Sequence, residues 1–336
     1  MKHRALVALS LAALTGCAHA RATRCDPIPR AVAAITRRSV AMDVASFERV
    51  RNPFTDPLAL AYSAALIERE LAQLGLRTAR QRVEHQGRTS ANIIGERAGS
   101  RPDAVVIVAA HYDTVPVAPG ADDNASGIAG LLAVARAAAT VQTEATLRVI
   151  AFSEEEYELG GSRAYVRSLS ERERSRIRGV IVMDMIGYAS DRPDSQRYPS
   201  ELSLLDPPHP LPTRGTFIAG ISLIGEEEPR RSVLEAQRYT RALHVETLPL
   251  PRLLLGLLPD MARSDHAPFW SAGIPAISLT DTADFRSPYY HRSTDRLATL
   301  DLAFAARSVR LAVASALLLA RPIESCAPEA IRAPRS

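Results

Sequence analysis

Lysine is almost missing from this chain of 336 residues. Lys2 is the only one among 41 basic residues, so the positive charge is nearly all arginine. Against 37 acidic residues this leaves a net charge of only +4, and no run of like charge is long enough to make a nucleic-acid arm. We read the arginine bias as base composition rather than a basic surface built for a polyanion; no nucleic-acid partner is expected. Cysteine is scarce as well, with Cys17, Cys25 and Cys326 alone. No internal repeat and no second linker break the chain, and 46% hydrophobic with 23% charged residues is ordinary globular composition. One domain of roughly 300 residues is the simplest reading.

The one apolar run near the N-terminus, "ALVALSLAAL" at 5–14, has ten residues. A bilayer span needs about 20, so the run reads as the core of a signal peptide behind the basic "MKHR". Two cleavage readings compete. "LTGC" at 14–17 resembles a bacterial lipobox, which makes Cys17 the lipidated first residue, whereas "AHA" at 18–20 resembles an ordinary signal-peptidase site that discards Cys17. The lipobox is favoured. It divides the chain into a signal peptide over 1–16, a tether and helix over 17–56, a main globular domain over 57–322 and a tail over 323–336. Loss of Lys2 and Arg4 then takes the net charge from +4 to +2. The expected location is a lipid anchor in the bacterial cell envelope. Ala18 in place of an inner-membrane-retaining Asp favours the outer membrane. Export permits disulfides, and Cys25 and Cys326 at the two chain ends are candidates for one, with free thiols as the alternative.

Downstream, apolar residues fall at helical spacing over 57–75 and stop near Gly75. "ARQRVEH" and "SANIIGERA" read as short strands. "AVVIVAA" (104–110), "TLRVIAFS" (146–153) and "RGVIVMDMIG" (178–187) are continuous apolar runs, as expected of strands buried on both faces. Helices are expected at 126–139, from "GGSRAYVRSLS", over 228–243, and over the closing 299–320. "TFIAGIS" and "GIPAISLT" are further strands, and 190–215, rich in Pro, Ser and Asp, is a loop. Strands alternating with helices predict an α/β sheet covered on both faces.

Chemistry-bearing residues collect where those strands end. His111 and Asp113 follow the first buried strand, Asp123 a short loop later, Glu154–Glu156 the second, Asp184 the third, and His291 and Asp295 the loop after "PAISLT". The C-terminal ends of strands in such sheets are where sites form. Charges rarely gather there unless paired or metal-bound. Imidazole and carboxylate ligands without cysteine suit Zn²⁺ or Mn²⁺ in a hydrolytic site. Two His and three carboxylates exceed one tetrahedral zinc with an open position. They suit two metals about 3.5–4 Å apart sharing a carboxylate.

The segments "HYD", "GADDNASG", "SEEEYELGGS", "VMDMIG", "SDHAPFW" and "YYHRSTD" occur in the order seen in the two-zinc aminopeptidase family of secreted bacterial exopeptidases, relatives of the glutaminyl cyclases and glutamate carboxypeptidases. The chain resembles that family over roughly residues 57–320. The resemblance implies a three-layer α/β/α fold around a mixed, mostly parallel sheet. It implies two Zn²⁺ per chain, with His111 and Asp184 on one, Glu156 and His291 on the other, and Asp123 of "DNASG" between them. Hydrolysis of the N-terminal peptide bond would proceed by hydroxide bridging the metals. Glu155 would be the general base, Asp113 would orient His111, and Asp295 would do the same for His291. Tyr290 is the candidate to polarise the scissile carbonyl. Asp265 and His266 would support the pocket wall. Asp122 and Glu154 receive no role, and a cis peptide is expected at Asp123–Asn124. "LLLGLL" at 253–258 lines a pocket for a hydrophobic side chain or is a packed loop.

Three other readings use the same scaffold. A glutaminyl cyclase-like acyltransferase would hold one zinc. A dimeric two-metal carboxypeptidase would have a longer spacing than the 12 residues from His111 to Asp123, and a lid domain. A non-catalytic scaffold would have lost ligands and base, all of which this chain retains.

Overall fold

The computed structural model describes residues 26–205 and 210–323. The signal sequence, Cys17, Cys25 and Cys326 lie outside the described residues. Helices α1 (Ile28–Ala33), α2 (Arg37–Phe47) and α3 (Pro57–Gln73) lead into β1 (Arg77–His85), β2 (Arg88–Arg97) and β3 (Arg101–His111). Next come α4 (Gly127–Thr140), β4 (Ala145–Phe152), α5 (Gly160–Ser168), α6 (Glu171–Arg176) and β5 (Ile177–Met183). The chain continues through β6 (Phe217–Leu223), α7 (Glu227–Ala236), β7 (His244–Leu250), α8 (His266–Ser271), β8 (Ala276–Thr280) and α9 (Leu302–Ala320).

The eight strands form one sheet in the order β1-β2-β4-β3-β5-β8-β6-β7. Strands β4, β3, β5 and β8 run parallel, as do β6 and β7, while β1, β2 and the β6–β8 pair are antiparallel. The apolar run of β3 serves both faces of the sheet. Val106, Val108 and Ala110 point into the core beneath the helical layer of α1–α4, α7 and α9, and Val105, Ile107 and Ala109 into the opposite core with α5 and α8. A strand covered on both sides cannot alternate polar and apolar residues, which is why its sequence reads as unbroken hydrophobicity. Gly130 of α4 is needed for close packing, since a Cβ there would sit 2.6 Å from the Met183 sulfur on β5.

The segment expected as tether and helix is part of this core in its described portion. Thr36 and Ser39 form a capping box that starts α2, and Val40, Val44 and Phe47 along it are buried in the helical layer. Phe47→Ala is expected to cost about 3–5 kcal/mol of unfolding free energy, read by urea denaturation of the metal-free protein. Helix α9 is long and apolar enough to cross a membrane by length and composition, but 72% of it is buried inside the protein. It packs on α1, α2, α4 and α7 as a core helix.

One expectation changes and one open alternative is decided. The helix expected over 228–243 ends at Ala236 and passes through a short 3-10 turn into β7. That strand escapes notice because Pro249 interrupts its pattern; at the sheet edge a missing N–H is tolerated. For the 253–258 segment the packed alternative fits: Leu254 and Leu255 pack on the core around α8, Leu253 and Leu257 are exposed, and none of these residues lines the cavity beside the metal cluster.

Candidate metal centre

The parallel strands end together, and their ends bring the expected residues into one cluster. His111 is the last residue of β3, Glu155 and Glu156 follow β4, and Asp184 follows β5. Asp123 lies in the tight turn before α4, and His291 in the loop after β8, held at φ 56°. The peptide between Asp123 and Asn124 is cis, as the resemblance implied.

The Asp123 carboxylate faces both imidazoles. Its Oδ1 lies 3.3 Å from His111 Nε2 and its Oδ2 lies 3.2 Å from His291 Nε2. Asp184 Oδ1 lies 3.4 Å from His111 Nε2, and Glu156 Oε2 lies 3.1 Å from His291 Nε2. Donor atoms around a tetrahedral ion with bonds of about 2.0–2.1 Å are roughly 3.3 Å apart, so both donor sets have the edge length of a zinc site. Neither ring nitrogen of buried His111, nor Glu156 Oε1, has a hydrogen-bond partner. Such orphaned donors and acceptors among buried carboxylates fit cations, which would satisfy the atoms and balance the charge. His111, Asp123 and Asp184 would hold one metal; His291, Glu156 and the second Asp123 oxygen the other.

Two buried aspartates set this geometry from behind. Asp113 Oδ1 lies 3.5 Å from His111 Nδ1, and its oxygens accept the backbone N–H of Glu155 (3.0 Å) and Glu156 (3.2 Å). It therefore holds the backbone of Glu155 and Glu156 as well as facing the imidazole. Asp295 was expected beside His291, but its carboxylate instead accepts the N–H groups of Asp122 (2.9 Å) and Asp123 (3.1 Å). It anchors the bridging residue rather than the histidine. Asp122 accepts from the Gly187 N–H at 2.9 Å, which ties the turn to the end of β5. Glu154 is fully buried against Ser90, a structural contact that its place in a three-glutamate run did not foretell.

The field inside the cluster is steep. For His111, burial opposes protonation, but Glu155, Asp113, Asp123 and Asp184 outweigh it and raise the imidazole well above its ordinary value. Burial also opposes charge on His291, yet Asp123 and Glu156 lift it to about 10. Burial would raise Asp123, but the two histidines hold it below the usual carboxylate range. Glu156 is pushed up to about 7 by burial and by Asp123. Burial, joined by Asp184, Glu156 and Asp265, raises Glu155 well above a normal glutamate, against the pull of His111. Without metal the histidines hold protons at pH 7, so protons and cations compete for them. Zinc affinity is expected to rise with pH toward the His291 value of about 10, with net proton release on loading at pH 7. Calorimetry in buffers of different ionisation enthalpy reads that release.

A cavity of about 800 Å³ opens beside the cluster. Its apolar wall comes from Phe217, Ala219 and Ile221 of β6 and Leu248 of β7. Tyr290 stacks on His291 with ring centroids 3.7 Å apart, and its hydroxyl accepts from Arg263 at 2.9 Å. Asp265 is buried with neither carboxylate oxygen hydrogen-bonded, and burial raises its carboxyl to about 7. His266 donates its Nε2–H to the Met261 carbonyl at 2.9 Å, meets Trp270 edge-on and lies in the cavity wall. Arg263, just before "SDHAPFW", is a cavity residue that the sequence alone did not single out.

Comparison with known proteins agrees with this geometry. The pattern of peptidase family M28 matches residues 92–207 and 254–316. YfbL of Escherichia coli, described as uncharacterized, is 33% identical over 247 residues, which is 69% of this chain and 72% of YfbL. The chain belongs to peptidase family M28. Among other M28-like relatives, aminopeptidase YwaD of Bacillus subtilis is 45% identical over 107 residues, 31% of this chain and 23% of YwaD. Leupeptin-inactivating enzyme 1 of Streptomyces exfoliatus is 30% identical over 67% of this chain and 44% of its own length. This chain thus spans less than half of either of those two proteins. The M28 fold is shared with BSAP, a zinc aminopeptidase from Bacillus subtilis, at TM-score 0.67 and 18% identity over 84% of this chain and 95% of BSAP. Porphyromonas gingivalis glutaminyl cyclase shares it at TM-score 0.57 and 19% identity over 84% and 96%.

Proposed function

We propose that this M28 peptidase is a zinc-dependent aminopeptidase holding two Zn²⁺ per chain and cleaving N-terminal residues from peptides. The observation that carries the reading is the Asp123 carboxylate, with one oxygen turned to each histidine at 3.3 and 3.2 Å. A single-zinc acyltransferase has no use for a second donor set complete with His111 and Asp184. The aminopeptidase names of the relatives and the zinc of BSAP support the same reading.

Bound metals would supply a water of lowered pKa and a Lewis acid for the scissile carbonyl. The chain's own residues do the rest. Glu155, 9% exposed and facing the cavity, takes a proton from the attacking water as the oxygen–carbon bond forms. It returns that proton to the amine nitrogen as the carbon–nitrogen bond breaks, so base and acid are one group. Its elevated affinity for protons suits both halves of the cycle. Asp113 holds Glu155 by its backbone N–H, leaving the side chain aimed at the reaction. The Tyr290 hydroxyl accepts from Arg263 and keeps its own proton to donate to the substrate carbonyl oxygen. The apolar wall of β6 and β7 takes a hydrophobic part of the peptide.

The deciding experiment combines metal analysis with an aminoacyl-anilide panel. Two zinc ions per chain, and hydrolysis lost to a chelator and restored by Zn²⁺, are the expected results. One zinc per chain with cyclisation of N-terminal glutamine would transfer the assignment to the cyclase reading. The Cys17 lipid anchor and the envelope location belong to the same proposal. Mass analysis of the mature N-terminus separates a lipidated Cys17 from cleavage after Ala20.

A further inference from the structure

Arg51 lies outside the segments that resemble the family, yet it is fully buried. Among the described residues its guanidinium has no carboxylate hydrogen-bond partner and spends its donors on carbonyls. Nε donates to Tyr112 O at 2.7 Å, Nη1 to Arg49 O at 2.9 Å, Pro119 O at 3.0 Å and Phe47 O, and Nη2 to Gly120 O at 3.1 Å. The backbone adds two bonds across the same junction, Arg51 N to Thr114 Oγ1 at 2.9 Å and Thr114 N to Arg51 O at 3.1 Å. Phe47 and Arg49 belong to the arginine's own segment, whereas Tyr112, Thr114, Pro119 and Gly120 lie toward the two ends of one loop. Tyr112 adjoins His111, and Gly120 comes three residues before Asp123. Gly120 adopts φ +63°, and a Cβ there would meet Asp123 O at 2.2 Å and the Arg51 guanidinium at 2.9 Å. The loop is thus closed around the arginine with no room for a side chain.

We infer that Arg51 is a positioning residue for the metal centre: it clamps the His111–Asp123 loop at both ends and so fixes the spacing of a terminal ligand and the bridging ligand. A planar guanidinium can do this because its donors diverge in one plane toward several carbonyls, whereas a lysine ammonium is a point donor on a flexible stem. Its positive charge also lies behind a centre crowded with carboxylates. Asp113, Asp123 and Asp295 all act on it, and it remains a cation despite full burial.

The inference rests on the two-metal reading and is tested on the full mature chain. Zinc affinity is measured by competition with a chromophoric chelator, beside the melting temperature of the metal-free protein and the visible spectrum of the Co²⁺-loaded form. Arg51→Lys, which keeps the charge and loses the fork, is expected to weaken zinc binding about 10–100-fold, the usual cost of losing a group that orients ligands. The Co²⁺ spectrum should change with it. Thr114→Val, which removes only the hydroxyl acceptor of the Arg51 N–H, should weaken zinc binding several-fold. It decides the matter if Arg51→Lys does not fold. Wild-type zinc affinity and Co²⁺ spectrum in the folded variants overturn the inference, even with a lowered melting temperature, because that pattern marks a purely structural arginine. Absence of zinc binding by the unmodified protein would instead sink the two-metal reading and this inference with it.

Discussion

Glu155→Gln should bind two zinc ions as the unmodified protein does and hydrolyse aminoacyl-anilides about 10²–10⁴-fold more slowly. The side chain lies 4.0 Å from His111 Nε2, farther than the 3.1–3.4 Å that separate the paired donor atoms of the two metal sets. It is near enough to act on a water between the metals but is not required to hold them. Gln keeps the volume and removes only the capacity to accept and return a proton. The loss should therefore fall on kcat, with KM little changed, since the apolar wall and the metals that bind substrate are untouched. The pH profile should lose the limb that Glu155 controls. Turnover at the unmodified rate, with zinc still in place, would remove Glu155 from the chemistry and leave its high proton affinity as a by-product of burial.

Asp123→Ala has a broader expected effect. In the proposed centre each metal would have three protein donors and Asp123 would supply one to both, so a single substitution would leave both sets with two. Zinc content should fall from two toward zero, and activity with it, beyond what Glu155→Gln loses. Asp184→Ala and His291→Ala each strip one set and should leave close to one zinc. This contrast separates a bridging carboxylate from two independent sites. It fails if Asp123→Ala retains one tightly held ion. The metal-free variant should also lose proton affinity at both histidines, because the shared counter-charge that lifts them is gone. Proton NMR of the imidazoles reads that change directly.

The centre was legible in the sequence because parallel strands write their ends plainly. Each buried strand is a continuous apolar run, and the first polar residue after it marks the edge where ligands sit. His111, Glu155, Glu156 and Asp184 all follow that rule. What lay hidden was the support. Asp295 is four residues from His291, and sequence proximity suggested a side-chain pair. The actual partners are backbone N–H groups 172 and 173 residues earlier in the chain, which no local pattern reports. Arg51 was hidden for the opposite reason: a charged residue between α2 and α3 reads as a solvated loop, and only the closed fold shows its donors matched to carbonyls. Strand β7 was obscured by Pro249, whose cost depends on whether the strand is central or at the edge.

Helix α9 has a consequence beyond packing. This helix, the last among the described residues, covers α1 and α2, which come from the first fifty residues, so its contacts close a loop of some 260 residues. Contact order is therefore high, and closure of so long a loop comes late in folding, after local hairpins and neighbouring strands have formed. A chain emerging N-terminus first from a ribosome lacks the α9 part of this helical layer until that helix is free, although α3, α4 and α7 already lie on the same face of the sheet. That ordering is a timer set by topology: the hydrolase cannot complete its fold until nearly all of its chain is available.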